Sequence, residues 1–283
     1  MKIAIFGTTG QVATELQRRV PEGTDLTCFG RDRADFSEPE AVARVAASLT
    51  ADTVVNAVAY TAVDRAESEP DLAHAVNAAS VARLAGTLAD RGIPLIHIST
   101  DYVFDGSGET PWVPDAPKGP LSVYGATKLA GEDAIRASGV AHTILRTSWV
   151  FSAHGANFVK SMLRLGAERD RLTIVADQVG GPTPASAIAD AIFGVARGMA
   201  DGAASGTHHF SGQPDTSWAG FAREIFAQSG LDCEVVDIPT TDYPTPATRP
   251  LNSRLDCGSL GEAFGILRPD WRRELETILK ELT

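Results

Sequence analysis

The chain has 283 residues, enough for one large core or a core with a smaller lobe, and it needs no disulfide or metal to fold. A net charge of −11, with no basic patch and no interleaved aromatics, excludes a nucleic-acid partner held through its phosphates. Cys28, Cys233 and Cys257 are far apart and lack Cys-x-x-Cys spacing, which argues against a disulfide framework or zinc site and for a reducing compartment.

The opening apolar run, 3–6, passes straight into a glycine turn, leaving no room for an apolar signal core. No later run approaches the ~20 apolar residues of a membrane span, so a soluble, cytoplasmic protein with no membrane partner is expected. The turn itself reads Gly7-Thr8-Thr9-Gly10-Gln11-Val12-Ala13 and leads into a helix containing Leu16 and Val20. Glycines there let the backbone approach a pyrophosphate, and the helix N-terminus meets its charge. A plain strand-to-helix turn would look similar, but the strand-turn-helix context favours a dinucleotide, with Gly7, Thr9, Gly10, Gln11 and Val12 as its first contacts.

The second strand, 25–29, ends at Gly30-Arg31-Asp32-Arg33, where such folds read the adenosine ribose. An arginine at this point pairs with the 2′-phosphate of NADP, so Arg31 tilts the expectation to NADPH, with NADH possible. Asp35 and Phe36 follow, suited to an adenine amino group and ring. Further short β-branched runs at 53–58, 95–99 and 142–146 alternate with helical patterns, one of them 72–91 with Leu72, Val76, Ala79, Leu84 and Leu88 on a single stripe. Strands separated by helices predict an α/β fold with a doubly wound parallel sheet of Rossmann type.

The fourth strand closes on Ser99-Thr100-Asp101-Tyr102, and Tyr124-Gly125-Ala126-Thr127-Lys128 follows at a helix start. Tyrosine and lysine four apart share one helical face. A free phenol, with pKa ~10, is a poor proton donor and acceptor at neutral pH, and a nearby ammonium draws that value down. Lys128 can therefore activate Tyr124, while the Thr100 hydroxyl, at the carboxyl end of a parallel strand, hydrogen-bonds the same carbonyl oxygen. Either half alone describes a surface pair; joined to the N-terminal glycine turn, the three form an acid-and-polariser set for hydride chemistry.

After about residue 150 prolines become frequent (Pro182, Pro184, Pro214, Pro239, Pro244, Pro246, Pro250), predicting a smaller, loop-rich lobe. The helical pattern at 190–200 and the strand-like 206–210 suit the first domain. The expected division is thus a dinucleotide domain of 1–150 with segments near 186–213, and a lobe of 151–185 with 214–283. His208 and His209, as strand neighbours, face opposite ways and do not chelate together, and His97 reads as a satisfied core residue.

These residues resemble the extended short-chain dehydrogenase/reductases. Within them the similarity is to the dTDP-4-dehydrorhamnose reductase family, carried by the glycine turn, the Thr100/Tyr124/Lys128 set, the run from Asn56 to Glu67, the run from Ser99 to Gly106, Arg146-Thr147-Ser148-Trp149-Val150-Phe151, Asp177-Gln178-Val179-Gly180-Gly181-Pro182-Thr183, and the run from Arg249 to Leu255. The blocks span residues 7–255. The resemblance implies reduction of the 4-keto group of dTDP-4-dehydro-L-rhamnose. Tyr124 would protonate the alkoxide, Thr100 polarise the ketone, and Lys128 hold the nicotinamide ribose.

It also implies Ala57, Ala59 and Thr61 along the cofactor, and Val63, Asp101, Tyr102 and Trp149 near the sugar. Arg249 and Asn252 would sit at the diphosphate or base of a dTDP-sugar. Some members hold a cation between subunits through an acidic residue matching Glu15, but Ser186 replaces a second acidic position. No metal is therefore expected, Glu15 reads as a solvated helix residue, and monomer and homodimer both remain open. Two alternatives stand beside this reading. An epimerase or dehydratase on the same scaffold is one, although dehydratases follow the threonine with Asp-Glu and Tyr102 follows Asp101 here. A cofactor-binding regulatory subunit without turnover is the other.

Overall fold

Strand β1 (Lys2–Phe6) buries four successive apolar residues, as a strand covered on both faces must. In the computed structural model, which describes residues 1–204 and 206–282, strands and helices alternate through the first half. They are α1 (Gln11–Arg18), β2 (Asp25–Phe29), α2 (Pro39–Ser48), β3 (Thr53–Asn56), α3 (Val63–Ala66), α4 (Pro70–His74), α5 (Ser80–Arg91), β4 (Leu95–Thr100), α6 (Val123–Ser138) and β5 (His142–Thr147). The second half is broken into shorter pieces: β6 (Val150–Phe151), α7 (Phe158–Glu168), β7 (Arg171–Val175), β8 (Val179–Gly180), β9 (Thr183–Pro184), α8 (Ala185–Ala200) and β10 (Gly206–His209). It ends with β11 (Thr216–Ser217), α9 (Trp218–Ser229), β12 (Glu234–Ile238), β13 (Asn252–Ser253), α10 (Gly258–Phe264) and α11 (Trp271–Leu282).

Six strands form one parallel sheet in the order β10-β5-β4-β3-β1-β2. The chain leaves β1 for β2 on one side and resumes with β3 on the other. The crevice at the carboxyl ends of β1 and β3 is therefore a topological switch point, where open α/β sheets bind ligands. One face of the sheet packs Phe6, Val54 and Ile144 against Val42, Leu84, Leu88 and Ile135. The opposite face packs Ile5, Val55 and Leu145 against Leu16, Ile188 and Ile192, with Leu260 of α10 in the same layer. A separate cluster, including Phe151, Val159, Phe221, Ile225, Trp271 and Leu275, holds α7, α9 and α11 together over the β7–β12 pair.

Two expectations need adjustment. The segment 72–91 is not one helical stripe, because a π-turn at Ala75–Ala79 separates α4 from α5. A π-turn inserts extra residue into the helical phase, so Leu84 and Leu88 are fully buried while Leu72 is 37% exposed beside the crevice. The third strand stops at Asn56, two residues short of the predicted 58, because the Asn56 side chain takes the Val58 N–H. His208 and His209 do face apart: His208 meets Ser259 and Phe264, and His209 meets Trp112 and Phe104.

Candidate active site

At the switch point Gly7 has φ +111°, a conformation that favours glycine, and its N–H donates to Phe29 O at 2.9 Å. Gly10 caps α1 with no side-chain hydrogen bond, leaving the helix N-terminus to serve an anion. A cleft of about 540 Å³ runs from Gly7, Thr9 and Gly10 past Arg31 and Asp35 to Ala57 and Ala59. These residues fit a dinucleotide: backbone donors at one end, a cation at the rim, and small side chains along the floor. Thr61, expected beside them, is exposed and lies outside this lining.

Arg31 is 81% exposed and pairs with Asp35 at 2.9 Å. The Asp35 carboxylate also accepts from the Ser37 N–H and hydroxyl; slight burial works to raise its pKa, but these bonds and Arg31 hold it below its ordinary value. Phe36 lines the cleft beside Asp35, while most of its ring is buried edge-on against Phe6, 5.7 Å between centroids, in the apolar layer under the sheet. Two expected contacts change in kind. The Gln11 carbonyl accepts from Ser152 Oγ and Asn157 Nδ2 at 2.9 and 3.1 Å, tying the glycine turn to the loop before α7. Val12 packs into the α1–α8 layer. What Gln11 and Val12 can offer a phosphate is backbone N–H.

The other end of the site is built from side chains. Ser122 caps α6 by accepting from the Gly125 N–H, which places Tyr124 and Lys128 in its opening turns. A Cβ on Gly125 would stand 2.2 Å from Tyr102 O, so only glycine lets the helix start lie against the exit of β4. That approach sets the Tyr124 ring edge-on to Tyr102 at 5.4 Å, with its hydroxyl near enough to Thr100 for the threonine to act on the phenol. Thr100 donates to Asp101 Oδ1 at 3.1 Å and accepts from the Tyr102 N–H at 3.2 Å.

Electrostatics here depart from the expected picture. Burial pushes the Tyr124 phenol up to about 12, opposed by the Thr100 hydrogen bond and assisted by Asp101. Lys128 is not what lowers it. The Lys128 amine turns towards the sheet, 2.7 Å from Ile98 O and 3.1 Å from His97 Nε2, and burial pulls it down to about 8. Spacing put the pair on one helical face, but the long lysine side chain finds its partners inside. Asp101 is also buried, and burial pushes its carboxyl up to about 6 against the opposing pull of Ser253 and Thr100.

Beneath the site lies a buried ion pair. Arg146 donates to Glu132 through Nε and Nη2 at 2.8 and 2.6 Å, with both side chains fully buried. Burial works to raise the Glu132 pKa, but the guanidinium holds it below the ordinary value. His97 is the satisfied core residue expected, but this ion pair, the Asn56 side chain and the π-turn's Asn77 escaped the sequence reading. Asn77 bonds both Tyr60 N and O and donates to Thr127 Oγ1. Its signal in sequence was an unexplained polar residue on an apolar helical stripe.

The residues expected near a sugar divide. Val63 opens α3, whose Asp64 binds Arg249 at 2.7 and 3.0 Å. Arg249 and Tyr102 lie near enough to act on each other electrostatically. Trp149 follows β5, whose Thr147 is level with Thr100, and stacks on Trp218 with centroids 3.7 Å apart. It holds φ +49° among otherwise ordinary non-glycine residues of the described chain, a strain that clusters at functional sites.

Asn252 is a correction. It is 1% exposed; its amide donates to Ser107 O and Thr110 O and its carbonyl accepts from Arg254, so it clamps two loops and has nothing left for a nucleotide. Glu15 is another: it is 6% exposed, within 3.5 Å of Arg18 and 3.1 Å of His154, because α1 packs into the molecule there. Among the described residues no group of three or more His, Cys, Asp or Glu is placed to hold a metal, and no helix is long and apolar enough to cross a membrane.

A parallel Rossmann-type sheet, a glycine cradle at its switch point and a Thr-Tyr pair where β4 meets α6 define the short-chain dehydrogenase/reductase class. The chain matches the RmlD substrate binding domain family over residues 1–283 and belongs to it. It is 43% identical to the dTDP-4-dehydrorhamnose reductase of Sinorhizobium fredii, covering 99% of this chain and 97% of that protein. The crystal structure of a dTDP-4-dehydrorhamnose reductase from Clostridium acetobutylicum superposes with TM-score 0.94 at 34% identity, covering 100% and 99% of the two chains. That of the Bacillus anthracis dTDP-4-dehydrorhamnose reductase in complex with NADP gives 0.92 at 32%, covering 99% of each.

Proposed function

We propose that this chain reduces the 4-keto group of dTDP-4-dehydro-L-rhamnose to give dTDP-L-rhamnose, with NADPH as donor and NADH as the weaker alternative. The observation that carries this reading is the placement of Tyr124, at the start of α6, beside Thr100 at the carboxyl end of β4, two strands from the Gly7–Gly10 cradle. Full-length identity to enzymes of that name supports the choice of sugar. Bound in the cleft, NADPH supplies the hydride. Gly7, Thr9, Gly10 and the first N–H groups of α1 hold its pyrophosphate, Arg31 its 2′-phosphate, and Ala57 and Ala59 let it lie close to the backbone.

A reduction needs a donor that arrives protonated. A phenol pushed up to about 12 keeps its proton at neutral pH, yet is still far more acidic than the alcohol it must protonate. Tyr124 thus hands a proton to the C4 oxygen, while the Thr100 hydroxyl, fixed by Asp101 and the Tyr102 N–H, orients that oxygen. Lys128, one helical turn away, holds the nicotinamide ribose. Residues 1–150 with the segments near 186–213 carry the cofactor, and 151–185 with 214–283 carry the nucleotide-sugar, where Trp149, Val63 and Tyr102 border the sugar and Arg249 the diphosphate.

The test is stoichiometric: purified protein with dTDP-4-dehydro-L-rhamnose should oxidise one NADPH per sugar reduced. Tyr124→Phe should lose 10²- to 10⁴-fold in kcat while keeping its affinity for NADPH, as loss of a general acid typically does. Undiminished turnover in that variant would remove Tyr124 from the chemistry.

A further inference from the structure

A chain of buried polar groups behind Lys128 has a fixed direction. The Val58 N–H donates to Asn56 Oδ1 at 3.0 Å, so the carbonyl of that amide faces Val58 and its NH₂ faces His97. Asn56 Nδ2 lies 3.1 Å from His97 Nδ1 and therefore donates to it, which makes Nδ1 an acceptor without a proton. A neutral imidazole carries one N–H, so that hydrogen sits on Nε2. His97 Nε2 is 3.1 Å from Lys128 Nζ. An ammonium has three donors and no lone pair, so it would meet this N–H donor to donor, whereas a neutral amine accepts it and donates onward to Ile98 O at 2.7 Å.

We propose that the Asn56–His97 pair is a positioning device that locks the His97 tautomer with its N–H towards Lys128, and so biases that lysine to its neutral amine. All three side chains are at most 1% exposed, so no solvent competes for these bonds. The surroundings agree. Burial, the largest cause, keeps His97 well below its ordinary pKa, hence neutral, and burial also draws Lys128 down to about 8. Glu132, one turn further along α6, pulls Lys128 the other way but is held by Arg146. The π-turn against α6 presents uncharged Asn77, and on α3 and just after it Asp64 and Glu67 are engaged with Arg249 and the Val123 N–H. Lys128 is thereby a residue that gains and loses its proton near neutral pH, and the ammonium form is present only below that point.

Two measurements decide this. In wild-type protein labelled with ¹⁵N-histidine, the two-bond proton–nitrogen spectrum should show His97 protonated on Nε2 alone; a proton on Nδ1 overturns the proposal. Asn56→Asp places carboxylate oxygens before both the Val58 N–H and His97 Nδ1, draws the ring proton to Nδ1, and turns an Nε2 lone pair to Lys128. The basic limb of kcat/KM should then move up by about one pH unit, the scale of a hydrogen bond gained by a charged group. A flipped tautomer with an unmoved limb overturns the link to Lys128. The kinetic arm rests on the reductase reading above. If the protein fails to turn over the dTDP-sugar, or the variant fails to fold, the wild-type histidine spectrum still decides the tautomer and an NMR titration of the Lys128 amine still decides its charge.

Discussion

The two ends of the cleft are built by opposite means. At the proposed dinucleotide end, the groups on offer are backbone N–H groups and Arg31, an exposed side chain paired with Asp35. At the catalytic end, Thr100, Asp101, Lys128, His97, Glu132 and Arg146 are all buried, and each is placed by another. The first arrangement costs little to assemble and tolerates change at its rim. The second is over-determined, because a buried polar group whose partner is lost keeps the full penalty of its desolvation.

That contrast can be broken in graded steps. Glu132→Gln leaves Arg146 as a buried charge without a full counter-charge and should lower unfolding free energy by about 3–5 kcal/mol in denaturant titrations. A loss below 1 kcal/mol would mean that Pro114 O and His209 suffice for Arg146, and the catalytic end would be no more demanding than the rim.

Asp101→Asn sharpens the comparison through pH. The folded carboxyl sits at about 6 against an ordinary 3.8, so between these values the native state binds more protons than the unfolded chain, and stability falls as pH rises through that window. Relative to the variant, wild type should lose roughly 2–3 kcal/mol from pH 4 to pH 7. Parallel stability curves for the two proteins would show that the charge is not buried at a cost. Arg31→Ala is the smallest step: stability should stay within about 0.5 kcal/mol, while NADPH affinity falls about tenfold and NADH affinity holds. Equal losses for both nucleotides would place Arg31 away from the 2′-phosphate.

The same contrast governs what could be read in advance. Gly7-x-x-Gly10 after an apolar strand, and Tyr124 four residues before Lys128, are local patterns whose meaning depends on neighbours in sequence. They lie where they were expected. The family resemblance put Asn252 forward as a nucleotide ligand, but a resemblance carries no record of a side chain's partners, and Ser107, Thr110 and Arg254 claim it in the fold. Glu15 misled for the same reason, drawn into the α1 packing.

By itself, the sequence determined the alternation of strand and helix, the parallel sheet, the glycine turn after the first strand and the Tyr124–Lys128 spacing at a helix start, since each follows from periodicity or spacing along the chain. Tertiary structure alone decided the direction in which Lys128 points, the tautomer of His97, the elevation of the Tyr124 and Asp101 pKa values and the burial of the Glu132–Arg146 pair. Those properties arise from desolvation and from partners tens of residues away, and no local pattern encodes either.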